Sequence, residues 1–256
     1  MGEEEVALQR VVIVGGGIAG LATAVALQRF GVRSLVLERS HELRSTGAAL
    51  SLFPNAWRAL DALGVAHKLT PIYREFRTGS LTKLENGAKM ASNFSKNRGG
   101  GGLGVRTVHR KVLLEALAEE LMPATIRFSS KLASIKISEE KDPKDSSTIT
   151  LHLEDGAVIR TKVLIGCDGV HSVVAQWLGL AAPIDSGRAA IRGLSVYKEG
   201  HGLENGPQQF LSSGRRAGMV PLNDYEVYWL TVSLYLLQRE RWLETSSRTL
   251  PSSRRK

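Results

Sequence analysis

The chain has 256 residues, 43% apolar and 23% charged, close to globular averages and enough for one large domain or two small ones. Its formal net charge of +9 is concentrated near one end: from Arg239 to Lys256 there are six basic residues and two acids. Elsewhere basic and acidic residues are interspersed without interleaved aromatics, which argues against nucleic acid as a partner.

No apolar run reaches the length of a membrane span, and the start, MGEEEVALQR, has neither a signal core nor transit character. A cytoplasmic location is therefore the default expectation. The only cysteine, Cys167, follows the apolar run Val163-Leu164-Ile165 and reads as a small buried hydrophobe rather than a nucleophile. The six histidines show no metal-ligand spacing, so no metal is expected.

The first element, Val11-Val12-Ile13-Val14, has the continuous apolar character of a buried parallel strand and ends directly in Gly15. Gly15, Gly17 and Gly20 then stand at the G-x-G-x-x-G spacing of a dinucleotide-binding βαβ unit. The first glycine permits a tight turn, the second lets backbone amides approach a pyrophosphate, and the third lets the helix pack close to the sheet. A helix is expected from Ile18 to Phe30, stopped by Gly31, with its N-terminus facing the phosphates.

Ser34–Leu37 reads as the second strand, and Glu38 follows where an acid accepts hydrogen bonds from a ribose 2′-OH. An acid there disfavours a 2′-phosphate, which favours FAD or NAD over NADP. Arg39 qualifies that preference, because a guanidinium next to the ribose reads as covering the adenine face or, as the second choice, a phosphate. With 26 glycines the spacing alone is weak evidence; its weight comes from strand, helix, second strand and acid falling in register.

Farther along, Pro54-Asn55-Ala56 opens a short helix through Leu63, ended by Gly64. Phe76–Met90 alternates around Asn86-Gly87, a hairpin signal. Gly99–Gly102 reads as a plain linker, since no strand precedes it and no Lys-Ser/Thr follows. An amphipathic helix is expected from Arg110 to Leu121, terminated by Pro123. Strands are expected at Ile126–Ile137, Thr148–Leu153, Val158–Ile159 and Val163–Ile165, the last running into Gly166-Cys167-Asp168-Gly169.

At this point the chain resembles the single-component FAD-dependent aromatic hydroxylases and epoxidases, in particular plant monooxygenases similar to salicylate hydroxylase and zeaxanthin epoxidase. Three segments carry the resemblance. One is the glycine fingerprint, extended through Ala24 and Gly31 and closed by Glu38-Arg39. Another combines Thr46-Gly47-Ala48-Ala49-Leu50 and Pro54-Asn55-Ala56 with His109-Arg110-Lys111-x-Leu113, which looks like the family's Arg-x-x-Leu segment. The last is Cys167-Asp168-Gly169-x-x-Ser172, similar to the family's Asp-Gly motif.

The resemblance implies an α/β fold: a Rossmann-like FAD-binding domain with an interleaved β-sheet substrate domain, incomplete at the C-terminus. In domain terms, 8–70 and 103–182 would form the discontinuous FAD-binding domain, 71–102 and 183–235 the substrate-domain strands, and 236–256 a basic, disordered tail. It further implies FAD as cofactor, NADH or NADPH as electron donor, and O₂ used to oxygenate a small apolar or aromatic substrate. Arg110 would lie along the cofactor, and Asp168 would belong to a segment associated with FAD and NAD(P)H. The cofactor-binding residues are thus Gly15, Gly17, Gly20, Glu38, Arg39, Arg110 and Asp168; no residue is assigned as catalytic.

The sequence departs from that pattern in two places. Ala175 stands where the family's Asp-Gly motif usually continues to an arginine, and the dipeptide Gly-Asp, the family's ribitol-binding signature, occurs nowhere. The chain looks like the first part of such an enzyme, ending early, with surface left uncovered that could recruit another chain. Two other readings stay open: a non-catalytic nucleotide-binding or interaction protein, and an NAD-dependent dehydrogenase.

Strands are also expected at Ala190–Tyr197, Gln208–Leu211, Ala217–Val220 and Glu226–Val232. Arg192, Tyr197, Tyr228 and Trp229 read as residues packing that sheet in preference to a substrate pocket. His109 and His171 read as surface and turn residues rather than acid–base catalysts.

Overall fold

The structure is a computed structural model that describes residues 8–43, 49–94, 104–138 and 148–234. Thr46–Ala48, the Gly99–Gly102 linker and the tail 236–256 lie outside the described residues. The chain divides into two compact units, one made of residues 1–47, 55–72 and 108–183, the other of 48–54, 73–107 and 184–256.

The first unit is built on a six-stranded sheet centred on β1 (Leu8–Val14), which pairs in parallel with β2 (Leu35–Leu37) on one side and β10 (Val158–Gly166) on the other. β7 (Ile126–Arg127) lies parallel beside β2, while β9 (Thr148–Leu153) and β8 (Leu132–Ser138) extend the far side antiparallel. The order is β7-β2-β1-β10-β9-β8. Alternate residues of β1 point to opposite faces and both faces are covered, which is why its sequence is apolar without interruption. Val11 and Ile13 pack with Val36 and Ala24; Val12 and Val14 pack with Leu37, Leu151, Leu153, Ile159 and Val174.

Helix α1 (Ile18–Arg29) crosses the first of these faces. It ends in a Schellman motif: Gly31 is left-handed at φ +71°, its amide donates to the Gln28 carbonyl, and that of Val32 donates to Leu27. The same unit contains most of α2 (Pro54–Ala62), with Trp57 and Leu60 buried, then α3 (Ala66–Leu69), which the sequence did not signal, and α4 (Arg110–Ala118). α4 stops three residues before the end expected from its periodicity, and Glu119 and Glu120 beyond it turn to pair with Lys68.

Two expectations change in this sheet. The single segment expected at Ile126–Ile137 is two strands, β7 and β8, on opposite edges of the sheet. Ser129 breaks it at φ +51°, and the amides of Ser129 and Ser130 donate to the carbonyls of Ser40 and Glu38, 2.9 and 2.8 Å away. Conversely, Val158–Ile159 and Val163–Ile165 join into one strand, β10, that changes partner along its length: Val158–Thr161 pair with β9, and Arg160–Gly166 pair with β1. Among the described residues no strand covers the side of Val163–Gly166 away from β1. Val163 is 46% exposed.

The second unit carries another six-stranded sheet. Its strands are β4 (Thr78–Lys83), β5 (Lys89–Asn93), β11 (Arg188–Val196), β12 (Gln208–Ser212), β13 (Arg215–Pro221) and β14 (Glu226–Leu234), in the order β11-β14-β13-β12-β4-β5. The hairpin expected at Asn86-Gly87 joins β4 to β5, with Gly87 left-handed at φ +69°. β14 continues through Ser233 and Leu234, two residues past the expected end of alternation. Ala49, Phe76, Val105, Val220, Leu222 and Tyr228 form this unit's core.

β3 (Ala49–Leu52) and β6 (Arg106–His109) form a two-stranded sheet, with the hydroxyls of Ser51 and Thr107 2.7 Å apart. Residues 49–54 and 104–107 accordingly fall in the second unit, whereas the sequence grouped them with the first.

Candidate functional site

The parallel strands β1 and β2 end side by side, and the turn leaving β1 opens a pocket of about 390 Å³, within the range of small-molecule sites. Gly15–Gly17 form one wall. Leu37–Arg39 form the next, Ser130–Leu132 the next, and Cys167–Gly169 with His171, Val173 and Arg110 complete the lining. Of the seven residues expected to bind a cofactor, the fold gathers Gly15, Gly17, Glu38, Arg39, Arg110 and Asp168 around this one space. Gly20 lies behind it, fully within α1.

The three glycines of the fingerprint sit in different surroundings. Gly15 is at φ +106°, and a side chain there would run into the Cys167 carbonyl. A methyl group on Gly20 would collide with the Gly15 carbonyl, so helix and turn touch directly. Gly17 is different: it is the N-cap of α1, and nothing lies within 4 Å of where its Cβ would be. That open space adjoins the pocket, at the end of a helix whose first amides have no intrahelical acceptor. The turn is pinned from both sides, Gly15 N–H donating to the Leu37 carbonyl and Cys167 N–H to the Val14 carbonyl, each at 2.8 Å.

Glu38 is 9% exposed, and both of its carboxylate oxygens accept from backbone amides. Its Oε2 accepts from the Gly16 amide and its Oε1 from the Ser40 amide, both at 2.8 Å. Asp168 is similarly committed: Oδ1 accepts from the Ser172 hydroxyl at 2.5 Å and Oδ2 from the Val173 amide at 2.7 Å, while Ser172 Oγ accepts from Ala175 N–H. These bonds cap the short helix α5 (Val173–Trp177), which the sequence did not signal, and they explain Ser172 in structural terms. Ala175, at the place where an arginine was expected, contributes its amide to that cap.

Arg110 and Lys111 open α4, and no acid stands in its first turn. Cations at a helix N-terminus oppose the helix dipole, so Arg110 is poorly placed for helix stability and well placed for an anion in the pocket it lines.

Cys167 is a correction. It is half-buried rather than core, because the register of β10 carries it just beyond the sheet, against Gly15 and into the pocket wall. Burial pushes its thiol pKa up; a hydrogen bond with Thr23 works the other way, and the Asp168 charge adds to the rise. A raised pKa keeps it a thiol, as expected of a non-nucleophilic cysteine.

Sequence reasoning missed Gly16, Ser130, Lys131 and Leu132 as pocket residues. Gly16 had a readable signal, its place inside the fingerprint; residues 130–132 enter only through the break at Ser129. His171 is exposed, as expected of a turn residue, but lines the pocket. Among the described residues no group of three or more His, Cys, Asp or Glu side chains is arranged to hold a metal.

The candidate substrate residues do not converge. The register Arg192↔Leu230 and Leu194↔Tyr228 places Arg192 and Tyr228 on one face of the second sheet and Trp229 on the other. Tyr228 is in the core, and Trp229 packs over Gly193 with its Nε1–H donating to Ser195 Oγ at 3.1 Å. Tyr197 meets His201 edge to face, with ring centroids 6.1 Å apart.

A family model described as FAD binding domain matches residues 9–249. The chain belongs to this FAD-binding family. Among the family's named relatives, Monooxygenase 2 of Arabidopsis thaliana is 42% identical over 229 residues, covering 88% of this chain and 53% of that protein. The 3-hydroxybenzoate 6-hydroxylase of Klebsiella oxytoca is 29% identical over 244 residues, covering 92% of the chain and 59% of the relative. The chain thus spans little more than half the length of these relatives. In fold it is similar to Klebsiella pneumoniae HpxO complexed with FAD and uric acid, with a TM-score of 0.75 at 22% identity, covering 88% of this chain and 56% of that one. The resemblance to FAD-dependent aromatic-ring hydroxylases therefore stands at the level of family and fold. No helix among the described residues is long and apolar enough to cross a membrane.

Proposed function

We propose that the chain binds FAD with its adenosine diphosphate half in the Gly15–Asp168 pocket, and contributes this half of the site to an NAD(P)H-using monooxygenase of small apolar or aromatic molecules. The observation that carries the reading is the open Gly17 position at the start of α1, in a pocket that Glu38 and Arg110 also line. The residues fit the group: amides of the first turn of α1 take the pyrophosphate, Glu38 faces the ribose, Arg39 the adenine, and Arg110 adds positive charge along the cofactor. FAD, when bound, supplies the redox chemistry, accepting a hydride from the nicotinamide and reducing O₂. The protein groups named here bind and orient it; none is given a proton-transfer role.

The matched family favours FAD over NAD as the resident nucleotide, and the relatives' names, a hydroxybenzoate hydroxylase among them, support an aromatic substrate.

Titration calorimetry with ADP and with FAD tests the site, and oxygen uptake with NADH or NADPH, measured alongside peroxide, tests the activity. The expected result for the 256 residues by themselves is ADP and FAD binding with little oxygenation coupled to donor oxidation. Failure of both nucleotides to bind would overturn the reading, and tightly coupled product formation would overturn the expectation of weak activity.

A further inference from the structure

We infer that Glu38 is a positioning residue that latches the glycine turn in its nucleotide-ready shape, in addition to facing the ribose. Four hydrogen bonds converge on this one residue. Its two carboxylate oxygens accept from Gly16 and Ser40, its amide donates to the Arg127 carbonyl at 2.9 Å, and its carbonyl accepts from the Ser130 amide at 2.8 Å. Three of the pocket's walls, the turn at 15–17, the segment at 38–40 and the crossing at 127–131, are thereby held at one buried point.

The fit is tight. A Cβ on Gly16 would lie 2.9 Å from Glu38 Oε2, 3.0 Å from its Cβ and 3.2 Å from its Cγ, so the Gly16 backbone rests against the carboxylate side chain itself. With its N–H turned to Glu38, Gly16 offers no donor to a phosphate, and a carboxylate repels phosphate charge. The latch therefore orients the turn so that the pyrophosphate meets the amides at the start of α1, beyond Gly17. Each carboxylate oxygen accepts only one of the described bonds and retains a lone pair for a ribose hydroxyl, so the two roles are compatible.

This inference rests on reading the pocket as an adenosine diphosphate site, and its test separates the two. Amide hydrogen exchange by NMR on the ligand-free full chain is compared with Glu38→Ala. Gly16 and Ser40 should lose protection by about tenfold or more, the worth of a charge-assisted bond, while Ile13 and Leu21 keep theirs. Unchanged exchange at Gly16 would overturn the latch whatever the ligand does.

Calorimetry with ADP and with 2′,3′-dideoxy-ADP is the second arm. A latch predicts that Glu38→Ala weakens both ligands, by about tenfold or more. A ribose contact alone predicts a loss for ADP and none for the dideoxy analogue, which would refute the latch. If wild-type protein binds neither, the nucleotide reading fails and the exchange arm decides the latch alone. Glu38→Gln guards against misfolding: its single amide oxygen can hold only one of Gly16 and Ser40, so one of the two should remain protected and the other open, with ADP affinity between wild type and Glu38→Ala. Both amides protected as in wild type would overturn the latch.

Discussion

The carbonyl of Gly15 occupies the space that a side chain on Gly20 would need. The turn that leaves β1 and the first full turn of α1 are in backbone contact, with the Cys167 Cβ 3.4 Å from the same point. Backbone cannot swing aside as a long side chain can. Gly20→Ala should therefore destabilise the first unit by about 1–3 kcal/mol through overpacking. Thermal unfolding checks this; a Tm equal to that of wild type would show that the helix can shift outward freely.

Gly17→Val is the complementary case. Gly17 has φ −81° and ψ −177°, extended backbone that any residue adopts, and its Cβ direction is open. Stability should be nearly unchanged while ADP affinity falls by about tenfold or more, because the added groups fill the approach to the helix N-terminus. Retained ADP affinity in calorimetry would move the phosphates elsewhere.

Asp168 and Ser172 close a cap on α5, and removing either leaves amides of that short helix without acceptors. Asp168→Ala should cost about 0.5–2 kcal/mol in stability, and Asp168→Asn less, since its amide oxygen still accepts from Val173. Chemical denaturation of the two variants orders them. Equal stability of Asp168→Ala and wild type would show that the bonds contribute nothing.

The cluster of Lys68 with Glu119 and Glu120 makes a pH-dependent contribution. A hydrogen bond from Lys68 holds the Glu120 carboxyl below its ordinary value of 4.5, and the Glu120 bond raises Lys68 above 10.5. A depressed acid stabilises the fold above its unfolded pKa and loses that contribution as pH falls through the folded value. A raised base does so below its unfolded pKa and loses it as pH rises through the folded value. The pair is thus intact between these limits. Both side chains are partly exposed, so its worth is at most about 1 kcal/mol. Glu120→Gln should lower Tm at pH 7, and the drop should shrink as pH falls below 4.5 through the folded value; a drop that stays constant down the acid limb would mean that packing, rather than charge, is responsible.

The local devices of this protein were legible in its sequence because their causes are local. The apolar run at Val11–Val14, the glycine spacing, the left-handed stop at Gly31 and the Asn86-Gly87 hairpin each act within a few residues, and each appears where the sequence placed it. The segment Ile126–Ile137 was not legible. Its strand propensity is continuous, yet Ser129 adopts a left-handed turn because the carbonyls of Ser40 and Glu38, some ninety residues earlier, capture the amides of Ser129 and Ser130.

The same distinction holds at the candidate site. By its sequence alone the chain determined which residues form the glycine turn and that an acid would follow the second strand, since sterics and spacing dictate both. Only the tertiary structure decided that Glu38 grips Gly16, that Asp168 is spent on capping α5, and that Ser130–Leu132 enclose the pocket. Those facts depend on the β10 and β7 registers, which bring distant segments to the ends of β1 and β2. A hydrogen bond across 22 residues, or a wall supplied from more than 100 residues away, leaves no periodic trace along the chain, because the geometry that makes it exists only after the sheet has closed.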